Sequence, residues 1–274
     1  MATKIRTTRK GKAVEASSAK EDLSDAALFA LTQFGFEADE KQAAILRSQA
    51  NRGILNCSRQ WGKSTVMAIK AIHRAYTRPK SLIVVAGPTD RQSAEFLQKA
   101  EEFVPMLGIE PRGDGANEVS LKFPNGSRII GLPGSPATVR GFSKVSMLVI
   151  DEAAYMDMAM YTALSPMLAV GGGDLWVMST PCGRQGFFYQ IWAHGGARWE
   201  RVMAKATECP GRIPSDFLEQ QRSELGPASF EQEFMCEFVD AGGQVFAQDM
   251  LERALDAYVA PLIFASNFEK DGKK

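Results

Sequence analysis

From residue 23 onward, apolar and polar positions follow two rhythms, one with helical spacing and one of short continuous apolar runs. Asp22-Leu23-Ser24-Asp25 opens an amphipathic stretch reaching Phe34, and Asp39 is placed to cap a second helix running to about Ala50. RGILNC, Arg52 to Cys57, reads as a short buried strand; a glycine-containing turn follows, then a helical run from Lys63 to Tyr76. SLIVVAG, from Ser81, is the next strand, and Pro88-Thr89 precedes a helix from Asp90 to about Phe103. Between Glu118 and Leu132 two alternating runs flank Asn125-Gly126, a strong hairpin signal. SMLVI, from Ser146, ends in Asp151-Glu152, and DLWVMS, from Asp174, ends in Ser179-Thr180-Pro181. A more polar strand from Trp199 to Ala206 and helical stretches near 214–225 and 227–237 complete the pattern.

Strands separated by helices predict crossover connections and a mostly parallel α/β sheet covered on both faces, with one hairpin added. Open sheets of this kind bind ligands at the carboxyl ends of their strands. Several strands here end in residues able to do chemistry, so the pattern points to a site along that edge.

Composition changes the picture little. The chain has 274 residues, 45% hydrophobic and 23% charged, as in ordinary globular proteins. No apolar run approaches the ~18–20 residues of a spanning helix, so no membrane partner is expected. Four cysteines without a CxxC pair and only two histidines argue against a zinc site or a disulfide framework, and the chain reads as intracellular and reduced. The net charge of zero hides a basic start: Lys4, Arg6, Arg9, Lys10, Lys12 and Lys20 stand against Glu15. Residues 1–21 therefore read as a disordered basic arm, either touching nucleic acid or serving as a solubilising tail. Residues 22–240 form the body. From 241 to 274, Ala241-Gly242-Gly243 suggests a hinge, followed by one short helix and a polar tail.

CSRQWGKST, Cys57 to Thr65, carries the clearest chemistry. It matches the P-loop pattern at Gly62, Lys63 and Ser64, with Cys57 at the position of the first glycine. Backbone N–H groups of Ser58, Arg59, Gln60 and Trp61 and the N-terminus of the following helix would surround the phosphates of ATP; Lys63 adds a charge and Ser64 a hydroxyl for Mg²⁺. Asp151, fixed at a strand end, would hold the metal, and Glu152 would orient or deprotonate a water. Arg59 is either a solvated surface group or a cis-acting cation for the γ-phosphate. Gln42 is either solvated or reads the edge of adenine. Ser179-Thr180-Pro181 is either a plain turn or a γ-phosphate contact, and Arg140, on a loop rich in glycine and proline, is a candidate finger for a neighbouring subunit.

Together these segments resemble the ATPase domain of the large terminase subunit of tailed bacteriophages. The likeness lies in SRQWGKST, VAGPTDRQSAEFL, GLPGSPATVRGFS, MLVIDEAAYM and STPCGRQGFFYQIW, and spans about residues 35–240. It implies a P-loop NTPase of the RecA-like (ASCE) type that hydrolyses ATP with Mg²⁺ to pump double-stranded DNA into a procapsid. It further implies a homo-oligomeric ring, a pentamer in the family, working with a portal protein and a small terminase subunit in the host cytoplasm, transiently at the portal vertex. Carried over, Lys63 and Ser64 bind phosphate and Mg²⁺, Asp151 holds the metal and Glu152 is the catalytic acid. Gln42 falls at the adenine motif, Ser179-Thr180-Pro181 at the coupling motif, and Arg59 and Arg140 at cis and trans arginine positions. The family's nuclease domain is not within this chain, so endonuclease activity is not expected of it. A superfamily-two-like helicase and a non-hydrolysing docking module for DNA or a portal are the other readings; the first would need a second RecA-like domain, and the intact Lys63, Ser64, Asp151 and Glu152 weigh against the second.

Overall fold

Seven strands, β1 (Arg52–Cys57), β2 (Leu82–Ala86), β3 (Ser120–Lys122), β4 (Arg128–Leu132), β5 (Met147–Asp151), β6 (Asp174–Ser179) and β7 (Glu200–Ala204), form one sheet in the order β3-β4-β2-β5-β6-β1-β7. Every neighbouring pair is parallel except β3 with β4. This computed structural model describes residues 23–132, 134–136, 139, 141–209 and 211–239, all within a unit ending at Val239. The basic arm and the stretch from Asp240 expected to hold hinge, short helix and tail lie outside the described residues.

Eight α-helices accompany the sheet among the described residues: α1 (Ala26–Phe34), α2 (Glu40–Arg47), α3 (Lys63–Thr77), α4 (Asp90–Phe103), α5 (Met158–Leu164), α6 (Gly186–His194), α7 (Ser215–Leu225) and α8 (Pro227–Met235). Successive side chains of a strand point to opposite faces, so continuous apolar runs need cover on both sides. Leu55, Val85, Val149 and Trp176 join a core shared with α1 to α4, α7 and α8. Ile54, Val84, Leu148 and Val177 join the other, capped by α5 and α6.

Local chemistry sets the helix starts. Asp39 and Gln42 form a reciprocal capping box at α2, and Thr89 with Gln92 does the same at α4. Asp25 caps α1 by accepting from the Ala27 and Leu28 amides. Helices α5 and α6 are not legible in the pattern. Both are short, seven and nine residues, and α6 begins without a side-chain cap.

Asn125-Gly126 does close the antiparallel β3–β4 pair, but not as a two-residue turn. The strands stop at Lys122 and Arg128, and a tighter turn forms inside the loop where Gly126 N donates to Phe123 O. The reason is the Asn125 amide, which donates to the Ala75 and Tyr76 carbonyls at the end of α3 and so ties the loop to that helix.

One glycine is demanded by packing. Gly53 on β1 lies in register with Trp176 on β6, and a Cβ at Gly53 would sit 2.3 Å from the buried indole.

Candidate functional site

The P-loop joins β1 to α3. Gly62 precedes α3 with φ of 97°, and Gln60 is also left-handed at 62°, so the chain turns sharply before the helix begins at Lys63. First-turn amides of a helix have no intrahelical partner, which leaves this N-terminus a site for anions. A pocket of about 430 Å³ lies here, lined by Arg59, Gln60, Gly62, Lys63, Ser64, Thr65, Lys99 and Glu152. Cys57, Ser58 and Trp61 are buried beneath it rather than lining it, so any part they play in binding is through backbone. The Ser58 hydroxyl is buried without a hydrogen-bond partner among the described residues.

Strand register brings the acids to the same edge. Asp151 ends β5 opposite Met178 of β6, and Ser179 of β6 lies opposite Asn56 of β1. Strand β6 thus stands between the strand of the P-loop and the strand of the acids. Ser64 Oγ donates to Asp151 Oδ2 at 2.9 Å. Glu152 takes a left-handed backbone, φ 50°, at the strand end, and its Oε1 meets Lys63 Nζ at 3.1 Å. Ser179 Oγ reaches Glu152 Oε2 at 3.5 Å, a long contact.

Burial dominates the electrostatics. It disfavours the Lys63 charge, yet the Glu152 and Asp151 carboxylates outweigh it and hold the ammonium above the usual lysine range. Burial pushes the Asp151 carboxyl up, against the opposing pull of Lys63. A hydroxyl and a carboxylate 2.9 Å apart are hard oxygen donors of the kind Mg²⁺ takes when phosphates and water complete its shell, so Ser64 and Asp151 fit that ion. Among the described residues no group of three or more His, Cys, Asp or Glu side chains is placed to hold a metal by itself.

The structure ties the remaining candidates to partners the sequence does not reveal. Arg59 Nε pairs with the Glu233 carboxylate on α8, and its backbone N–H donates to Glu233 O at 3.3 Å. The hydrogen bond from Arg59 to Glu233 is the main cause holding the guanidinium above its ordinary pKa. Tyr155 Oη donates to the other Glu233 oxygen at 3.3 Å, linking the segment after the acids to the same helix. Gln42 is buried, and its amide is engaged within the chain: Nε2 donates to Trp61 O, while Oε1 accepts from Asp39 N and from Arg212. Arg212 also donates to Trp61 O at 2.7 Å, so two side chains converge on one P-loop carbonyl. Ser179 and Thr180 are buried at the end of β6, followed by a buried Pro181. Arg140 lies outside the described residues.

Sequence reasoning misses Glu233, Arg212, Tyr155 and Lys99. Glu233 stands 174 residues from Arg59 and Arg212 stands 170 from Gln42, so no local spacing could pair them. For Tyr155, closeness to Asp151-Glu152 in the chain is the one available signal.

Comparisons with known proteins point to one family by sequence. The model described as the N-terminal part of the terminase large subunit, T4likevirus-type, matches residues 54–253. The large terminase subunit of Thermus phage G20c is 24% identical over 258 residues, covering 79% of this chain and 52% of that protein; that of Thermus virus P23-45 is equally similar. This chain therefore spans about half the length of the curated relatives it matches. In fold it is similar to the large terminase ATPase domain of Thermus phage P74-26, with a TM-score of 0.67 at 23% identity, covering 76% of this chain and 97% of that one. It is also similar to the ADP complex of a large terminase from a thermophilic bacteriophage, with a TM-score of 0.64 at 15% identity, covering 74% of this chain and 54% of the other. With a sheet and P-loop of this kind and a family match over residues 54–253, the chain belongs to the terminase large-subunit family, of which it carries the N-terminal, P-loop NTPase part.

Proposed function

We propose that this chain is the ATP-hydrolysing part of a phage DNA-packaging motor, using ATP and Mg²⁺ to drive double-stranded DNA into a procapsid. The observation that carries the reading is the meeting, at one sheet edge, of the loop after β1, the acids ending β5 and Ser179 ending β6. Family membership supports it, and so do fold neighbours bearing ADP and ATP-gamma-S. Mg²⁺, when bound, would be held by Ser64 and Asp151 and would supply positive charge against the phosphates. Lys63 exchanges Glu152 for phosphate; Glu152, released, is the carboxylate that orients and deprotonates the attacking water. Arg59 leaves Glu233 to meet the terminal phosphate in cis. Arg140 completes a neighbour's site in trans, Gln42 reads adenine by exchanging part of its internal bonding, and Ser179-Thr180-Pro181 relays loss of the γ-phosphate along β6. The assembly is a homo-oligomeric ring on a portal protein, supplied with DNA by a small terminase subunit, in the host cytoplasm.

The test is ATP hydrolysis per protomer as protein concentration rises, with and without Mg²⁺. Turnover that requires Mg²⁺ and is lost in Lys63→Ala supports the enzyme reading; turnover indifferent to Lys63 overturns it. A rate climbing with concentration, and partial rescue on mixing Arg140→Ala with Glu152→Gln, support the ring. A flat rate with no rescue at high concentration removes the trans role of Arg140.

A further inference from the structure

We infer that Lys99, on α4, is a further nucleotide-contacting residue, a cation that meets the polyphosphate of ATP beside the P-loop. The inference rests on the ATP-binding reading above and deepens it. Lys99 lines the same pocket as Lys63, Ser64, Thr65 and Glu152, although it comes from a different helix and a different crossover of the sheet. Helix α4 packs along α3 and buries Phe96, Leu97 and Ala100. Position 99 is thereby carried to the rim of the loop, half-buried rather than free in solvent.

The helix itself offers Lys99 ordinary partners, and it takes none of them. Glu95 stands at i−4 and Glu102 at i+3, spacings at which helical ion pairs form. Glu95 is instead paired with Arg91 at 2.8 Å, and Lys99 makes no ion pair or hydrogen bond among the described residues. The other cations of the pocket are committed, Lys63 to Glu152 and Arg59 to Glu233. Each must break an ion pair to meet phosphate. Lys99 has none to break, so its charge is available to an entering anion from the outset, and a phosphate oxygen is the partner such a pocket admits.

The experiment measures nucleotide affinity of the full chain for wild type, Lys63→Ala, Lys99→Met and Lys99→Arg, by competition against a fluorescent ATP analogue at two salt concentrations. Lys99→Met is expected to weaken ATP binding by about tenfold, the usual effect of losing one charge-assisted hydrogen bond. Lys99→Arg should keep most of the affinity, and the melting temperature without nucleotide should be the same in all Lys99 variants. ATP binding by Lys99→Met that equals wild type in strength and salt dependence overturns the inference and leaves the ATP reading intact. Loss in Lys99→Met that Lys99→Arg fails to restore, or that accompanies a lowered nucleotide-free melting temperature, also overturns it, since the role is then packing. Wild type that binds no ATP overturns the inference together with the reading beneath it.

Discussion

Lys63 Nζ and Glu152 Oε1 stand 3.1 Å apart across the pocket above the P-loop, so the residue that would grip phosphate is held by the residue that would activate water. On the proposed reading a bound triphosphate competes with Glu152 for the Lys63 ammonium, and a carboxylate beside phosphate oxygens is repelled. On that same reading, Glu152→Gln removes the competitor and the proposed base at once. Its affinity for ATP should equal or exceed that of wild type, while hydrolysis falls by about 100-fold or more. Equilibrium binding and single-turnover phosphate release measured on the same preparation check this. Residual turnover near wild type would move the catalytic role to another group.

Arg59, at the pocket's edge, is engaged by Glu233 in the same manner, with Tyr155 steadying the carboxylate from the other side. Glu233 is mostly buried, but Arg59 is 60% exposed and solvent screens its charge, so the latch contributes about 0.2–1 kcal/mol, as in exposed pairs. Glu233→Gln should therefore tighten ATP binding by about two- to fivefold, with Arg59→Ala showing no such gain when combined with it. A Glu233→Gln variant with weakened ATP binding would sink the cis role of Arg59.

What the sequence reveals and what it hides divide along chain distance. Asp39 as the cap of α2, Thr89 just before α4, the strand ending in Cys57 and the helix after Gly62 are local arrangements, decided by residues within a few positions, and each stands where the pattern puts it; the structure adds the pairing of Gln42 with Asp39 and of Gln92 with Thr89. The contacts that fill out the site are of another kind. Ser64 finds Asp151 because the sheet sets β1 beside β6 with β5 next beyond it, while Arg59 finds Glu233 and Gln42 finds Arg212 through segments packed around the sheet, 174 and 170 residues away in the chain. Asn125 shows a third case: a strong local turn signal whose side chain is claimed by the end of α3. Tertiary demand then reshapes the loop without moving the strands.

Gly53 and Trp176 couple the P-loop strand to the strand beside it. The indole is fully buried and cannot swing aside, and the nearest ring atoms would lie 2.3 Å from an added Cβ. Gly53→Ala should cost on the order of 3 kcal/mol, at the upper end of overpacking in a tight core. Urea unfolding measures it. The double variant Gly53→Ala with Trp176→Leu should recover part of the loss, and an unaltered midpoint in the single variant would contradict the packing described.

Lys70 gives a prediction in pH. It sits under α2, donating to the Ile45, Leu46 and Ser48 carbonyls at that helix's end and lying 4.9 Å from the centre of the Trp176 ring. Burial lowers its pKa from the ordinary 10.5 to about 8. Between about 8 and 10.5 the unfolded chain keeps a proton that the folded chain has released, so folding stability owed to this group rises with pH through that window. The full displacement corresponds to roughly 3 kcal/mol, lost again as pH falls to 8 and below. Chemical denaturation of wild type and Lys70→Met at pH 7, 8, 9 and 10 isolates the effect, because the other titrating groups are common to both. The stability difference should move in favour of wild type as pH rises. A difference that stays constant across the series would mean that the three carbonyls hold the proton on Lys70 despite its burial.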